Sequence, residues 1–160
     1  MSREALIADI IGFVESVGIP TVAEPVADSA LLPGVTIRGG ALVYDPALPW
    51  PGDLLHEAGH VAVTDPALRP GLDDVPSDPG EEMAAIAWSY AAALAIGIDP
   101  AIVFHDHGYR GGGGYLTEVM AAGGSSPGVP MLQYYGMSAE PHQASALGLA
   151  PFPAMTRWLR

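Results

Sequence analysis

Five consecutive residues, His56-Glu57-Ala58-Gly59-His60, set two imidazoles and a carboxylate at a spacing that can do metal chemistry. They lie in an apolar stretch, Asp53 to Val63, whose pattern predicts one helix. Residues four apart on a helix stand one above the other, so His56 and His60 can both aim a ring nitrogen at one ion. Glu57, the next residue after His56, can reach a water on that ion. Two zinc ligands and a general base in this order equip a chain for metal-assisted hydrolysis. The bland alternative is an amphipathic helix with two surface histidines.

A catalytic zinc takes three protein ligands and keeps one position for water. The chain has no cysteine, so the third ligand must be another histidine or a carboxylate. The elongated pattern H-E-x-x-H-x-x-G-x-x-H is excluded, because Val63 and Pro66 stand where it needs glycine and histidine. Asp65 falls on the opposite face of a helix that continues that far. What remains is the next predicted helix, which opens at Asp78-Pro79-Gly80-Glu81-Glu82. Asp78 is a good cap, Pro79 suits the first turn, and Glu81 fits the capping position. That leaves Glu82 to face the metal, on a face shared with the small residues Ala85, Ser89 and Ala92, with Glu81 as the alternative ligand. Without the histidine pair, the same two acids would read as solvated charges favoured by the helix dipole.

The segment from Leu54-Leu55-His56-Glu57-Ala58-Gly59-His60 to Glu82-x-x-Ala85-x-x-Trp88 resembles small zincin-like metallopeptidases. It is most similar to the bacterial ImmA/IrrE type, where HExxH is followed by Glu-x-x-Ala-x-x-Phe on a second helix. The resemblance covers about residues 35 to 95; Trp88-Ser89 stands in place of Phe-Ala, and no DNA-binding helix-turn-helix is attached. It implies a Glu-zincin fold, zinc held by His56, His60 and Glu82, Glu57 as the base that activates the zinc-bound water, and limited proteolysis of a protein or peptide substrate. The expected fold class is α+β: one zincin-like domain over residues 1–160, with the metal helix and second helix packed on a small antiparallel sheet or hairpin. A second class of function is a zincin-like metal-binding protein with little or no turnover, acting as an interaction or regulatory module. A fourth protein ligand, such as His105 or Asp106, would mark that class, since structural zinc sites are closed. Hydrolysis of a non-peptide amide is a third reading.

The elements that must position these residues are legible to different degrees. Ser2 to Val17 carries apolar residues at helical spacing, stopped by Gly18 and Pro20. Thr21 to Pro33 reads as a connector. Val35–Ile37 and Ala41–Tyr44 flank Arg38-Gly39-Gly40 and predict a hairpin. Three prolines then lead into the HExxH helix, an order that can lay a strand edge beside the site for an extended peptide. The helix after Asp78 runs to Gly97, and weaker signals mark Ala101–Phe104, Tyr115–Ala122, Met131–Tyr135 and Ala154–Leu159. Phe104 to Gly111 is dense in functional side chains. His105, His107, Tyr109, Arg110 and, further on, His142 are candidate donors to a developing oxyanion. The bland reading of that run is a solvated turn; His105, Asp106 and His107 as a separate metal site is a further alternative. Tyr134, Tyr135 and Trp158 read as core or oligomer-contact residues.

Composition narrows the classes. Six arginines, no lysine and 18 acidic residues give a net charge of −12. That charge disfavours nucleic acid and anionic membrane surfaces as partners. With no basic, uninterrupted apolar start, residues 1–18 read as an ordinary helix, and a cytoplasmic protein is the expectation. Neither oligomeric state nor substrate identity is written in the sequence.

Overall fold

The computed structural model describes residues 1–28, 30–73, 78–108, 111–123 and 126–160. Ser2 caps helix α1 (Arg3–Ser16) by accepting a hydrogen bond from the Ala5 amide, and the helix buries Ile7, Ile10, Ile11 and Val14. Strands β1 (Thr21–Ala23), β2 (Val35–Arg38) and β3 (Ala41–Tyr44) form one sheet in the order β1-β3-β2. The Gly39-Gly40 turn takes positive φ at both positions, the conformation a two-residue hairpin turn demands. Helices α2 (Asp53–Val63) and α3 (Pro79–Ile96) follow, then the shorter α4 (Gly113–Ala121), α5 (Val129–Tyr134) and α6 (Pro141–Leu147). The architecture is α+β, and no described helix is long and apolar enough to cross a membrane.

The expected hairpin is present and gains a third, parallel strand. β2 pairs antiparallel with β3 as a hairpin, but β1 pairs parallel with β3, Thr21 opposite Leu42 and Ala23 opposite Tyr44. The parallel partner comes from the segment read as a connector. β3 is therefore the central strand, paired on both sides, so Leu42–Tyr44 offers no free edge to a substrate.

α2 is buried along nearly its whole length; of its residues, only His56 is more than marginally accessible. A helix so enclosed must have its last carbonyls satisfied by protein groups. Thr64 Oγ1 donates to His60 O at 2.7 Å, and Arg69 donates to Val61 O and Thr64 O, each at 3.1 Å. The Arg160 amide donates to Ala62 O at 2.9 Å, and its guanidinium to Val63 O at 3.3 Å. The segment Ala154–Leu159 forms no helix or strand; it runs back to this helix end instead.

α3 starts as the sequence predicts. Asp78 accepts from the amides of Gly80 and Glu81, Pro79 opens the helix, and Gly97 closes it in the left-handed region. α2 and α3 pack directly on one another, and Gly59 lies against α3. A Cβ there would lie 2.8 Å from Ala85 O and 3.3 Å from both Ala85 Cα and Trp88 Cε3. Glycine inside the HExxH run is thus what lets the second helix come near enough to share a site with the first. Trp88, fully buried, is the floor of the contact. Its indole N–H donates to Trp158 O at 2.9 Å, and its ring packs edge-on against Trp158 and tilted against Phe13. Tyr135 is buried beneath the Arg160 guanidinium, 4.0 Å from its ring centroid, whereas Tyr134 is largely exposed.

Candidate metal centre

His56 and His60, one turn apart on α2, bring their Nε2 atoms within 3.2 Å of each other. Glu82, in the first turn of α3, places Oε2 at 2.8 Å from His60 Nε2 and Oε1 at 3.5 Å from His56 Nε2. Glu81 turns away and lies 3.9 Å from the Arg160 guanidinium. Ligand atoms held at 2.0–2.1 Å around a tetrahedral ion are separated from one another by about 3.3 Å. The 3.2 Å between the two Nε2 atoms matches such a pair, while Glu82 presents a different oxygen to each histidine, at 2.8 and 3.5 Å. Glu57, buried next to His56, offers a carboxylate oxygen within 4.8 Å of both histidine nitrogens. Two carboxylates therefore face two imidazoles, enclosed on the α2 side and open to solvent at Glu82, a charge balance that a bound dication would neutralise.

Protonation states suit a metal. Burial, helped by His60 beside it and opposed by Glu82, lowers the His56 imidazole to about 4. Its lone pair is free of a proton near neutral pH, as ligation requires. Glu82 is held below the usual carboxylate range, chiefly by its hydrogen bond with His60, against partial burial. A stability consequence follows for the metal-free chain. In the unfolded state a histidine takes up its proton near pH 6.5, whereas folded His56 resists protonation until about 4. Between these values the unfolded state binds more protons, so stability falls as the pH drops through that window. In the presence of a chelator, the urea midpoint is expected to be lower at pH 5 than at pH 7; a higher midpoint at pH 5 would contradict the buried, neutral His56.

The run after α3 does not complete the metal group. His105 Nε2 lies 2.8 Å from Asp53 Oδ1 instead, and among the described residues its buried Nδ1 has no hydrogen-bond partner. Burial raises the Asp53 carboxyl, with the hydrogen bond to His105 opposing. Trp50 stacks on both His105 and His107, with ring centroids 4.9 and 4.3 Å away. His105, Asp106 and His107 thus do not gather as a second metal site, and among the described residues no group of three ligand atoms converges away from the His56–His60 pair. His142 is exposed on α6, its Nε2 3.3 Å from Gln143. The candidate donors Tyr109 and Arg110 lie outside the described residues.

Asp53 and Trp50 were not singled out by their sequence context. Asp53 reads as one more acid in a helix first turn, and Trp50 as part of a proline-rich loop. A signal for Asp53 did exist: it stands three, four and seven positions before His56, Glu57 and His60, on the same helix stripe. No family model, no curated protein and no solved structure matches the chain, so the site stands on its own geometry.

Proposed function

We propose that the protein is a zinc-dependent hydrolase, a metallopeptidase acting on a protein or peptide substrate. The observation that supports this reading is the gathering of the His56 and His60 ring nitrogens with the Glu57 carboxylate on α2, faced by the Glu82 carboxylate from α3. His56 and His60 would hold zinc through Nε2, and Glu82 through its carboxylate. Zinc so bound supplies Lewis-acid polarisation of a carbonyl and makes water acidic enough to attack near neutral pH. Glu57 accepts the proton of the attacking water on its carboxylate and hands it to the leaving amine. Burial of Glu57 keeps that carboxylate away from bulk water, where a proton would be lost to solvent.

Metal content tests the reading at its base. The purified wild type is expected to carry about one zinc per chain, the occupancy of a three-ligand site. His60→Ala, which removes one nitrogen of the pair, is expected to lose it. A wild type without a stoichiometric divalent metal would end this reading. A chain that holds zinc firmly and cuts nothing would favour a metal-binding interaction module in its place.

A further inference from the structure

Beside the N-terminal end of α2 lies a cleft of about 530 Å³, lined among others by Trp50, Phe104, His105, Asp106, Thr117 and Glu118. Asp53 connects it to the metal ligands. Its carboxylate bonds His105 in the cleft wall, and it precedes His56 by one turn, about 4.5 Å along the helix axis.

The walls and rim differ in chemistry. The Phe104 ring and the Trp50 indole, the latter stacked on His105 and His107, give a firm aromatic wall. Asp106 and Glu118, both exposed, put two carboxylates at the rim. Among the described residues, no arginine lines the cleft, and the chain has no lysine. Of the six arginines, Arg3, Arg38, Arg69, Arg157 and Arg160 are engaged elsewhere, on Leu48 O, Glu24, Val61 O, Tyr135 O and Val63 O respectively, and Arg110 lies outside the described residues.

Resting on the peptidase reading, we propose that this cleft takes a cationic side chain, arginine or lysine, of an extended peptide substrate. The aliphatic stem of such a residue covers the aromatic wall while its charged head reaches the rim. There the carboxylates of Asp106 and Glu118 receive it with charge-assisted hydrogen bonds. An acidic side chain would meet two like charges, and an aliphatic one would leave both carboxylates unanswered. The net charge of −12 adds a long-range attraction for basic peptides. Asp53 acts here as a positioning residue: it fixes His105, and His105 fixes the Trp50 ring.

A randomised peptide library tests this, offered to the zinc-loaded wild type and, in parallel, to zinc-loaded Glu57→Gln. The wild type reports cut positions by mass spectrometry, and the variant reports retained peptides. Arginine and lysine are expected to be enriched about tenfold over leucine or glutamine at one position near the cut, the size of one charge-assisted hydrogen bond. Asp106→Asn combined with Glu118→Gln is expected to bring that ratio close to one. A library cut without basic preference, or with a preference indifferent to the double substitution, overturns the cleft assignment and leaves the peptidase reading intact. Basic peptides retained by Glu57→Gln but not cut by wild type support the cleft and overturn the peptidase reading. A library neither cut nor retained overturns both.

Discussion

Replacing Glu57 with glutamine is expected to lower turnover on a verified substrate by about 10²- to 10⁴-fold, the usual contribution of a positioned general base. Zinc content should stay at the wild-type level. Glutamine keeps the size and shape of the side chain, so the buried position beside His56 is filled as before. What is lost is the ability to take a proton. The paired readout separates two roles that the geometry brings close together. The Glu57 carboxylate lies within 4.8 Å of both histidine nitrogens, while Glu82 reaches 2.8 Å from one of them. If Glu57→Gln lost its zinc together with its activity, Glu57 would be a ligand and Glu82 a supporting acid. Retained zinc with full activity would remove the acid–base role altogether.

The second large effect concerns the joint between the two site helices. Trp88→Ala is expected to destabilise the fold by about 3–5 kcal/mol, the range for truncating a large buried aromatic. Trp88 is fully buried and packs on Phe13 of α1, on Trp158 near the end of the chain, and under Gly59 of α2. Its removal opens a cavity between the elements that hold His60 and Glu82. Trp88→Phe keeps most of that volume and loses only the hydrogen bond to Trp158 O, so it should cost about 1–3 kcal/mol, the penalty for a buried acceptor left without its partner. Denaturant unfolding of both variants with a chelator present checks the pair. A Trp88→Ala penalty no greater than that of Trp88→Phe would mean that the packing is not what joins the helices.

The site helices were legible because each carries its own punctuation. Asp78, Pro79 and Gly97 mark the ends of α3, and the apolar pattern from Asp53 to Val63 marks α2. Helical spacing is local information, so the pairing of His56 with His60, and the elimination that points to Glu82, need no tertiary contact to be inferred. β1 was hidden for the opposite reason. Thr21-Val22-Ala23 is too short to show alternation and sits between Pro20 and Pro25; only its parallel pairing with β3 makes it a strand. α6, seven residues behind Pro141, has too little length for a periodic signal. The link between Asp53 and His105 spans 52 positions, and no spacing rule reaches that far. The same holds for Arg69 and Arg160, whose carbonyl partners at the end of α2 are set by the path of the chain.

That path orders the steps of folding. The candidate ligand residues fall within the short span from His56 to Glu82, so α2 and α3 can meet after closing a loop of modest length. The cover on the last turn of α2 arrives from Arg160, 97 positions beyond Val63, and the Trp88 indole waits for Trp158, 70 positions on. Closing a longer loop costs more chain entropy, and contacts so distant along the chain form slowly. The ligand pair and its carboxylate can therefore gather in a partly closed chain. Docking of the 158–160 segment is expected to come later, and a chain nicked ahead of this segment would keep the candidate ligand residues but lack the contacts of Arg160 and Trp158.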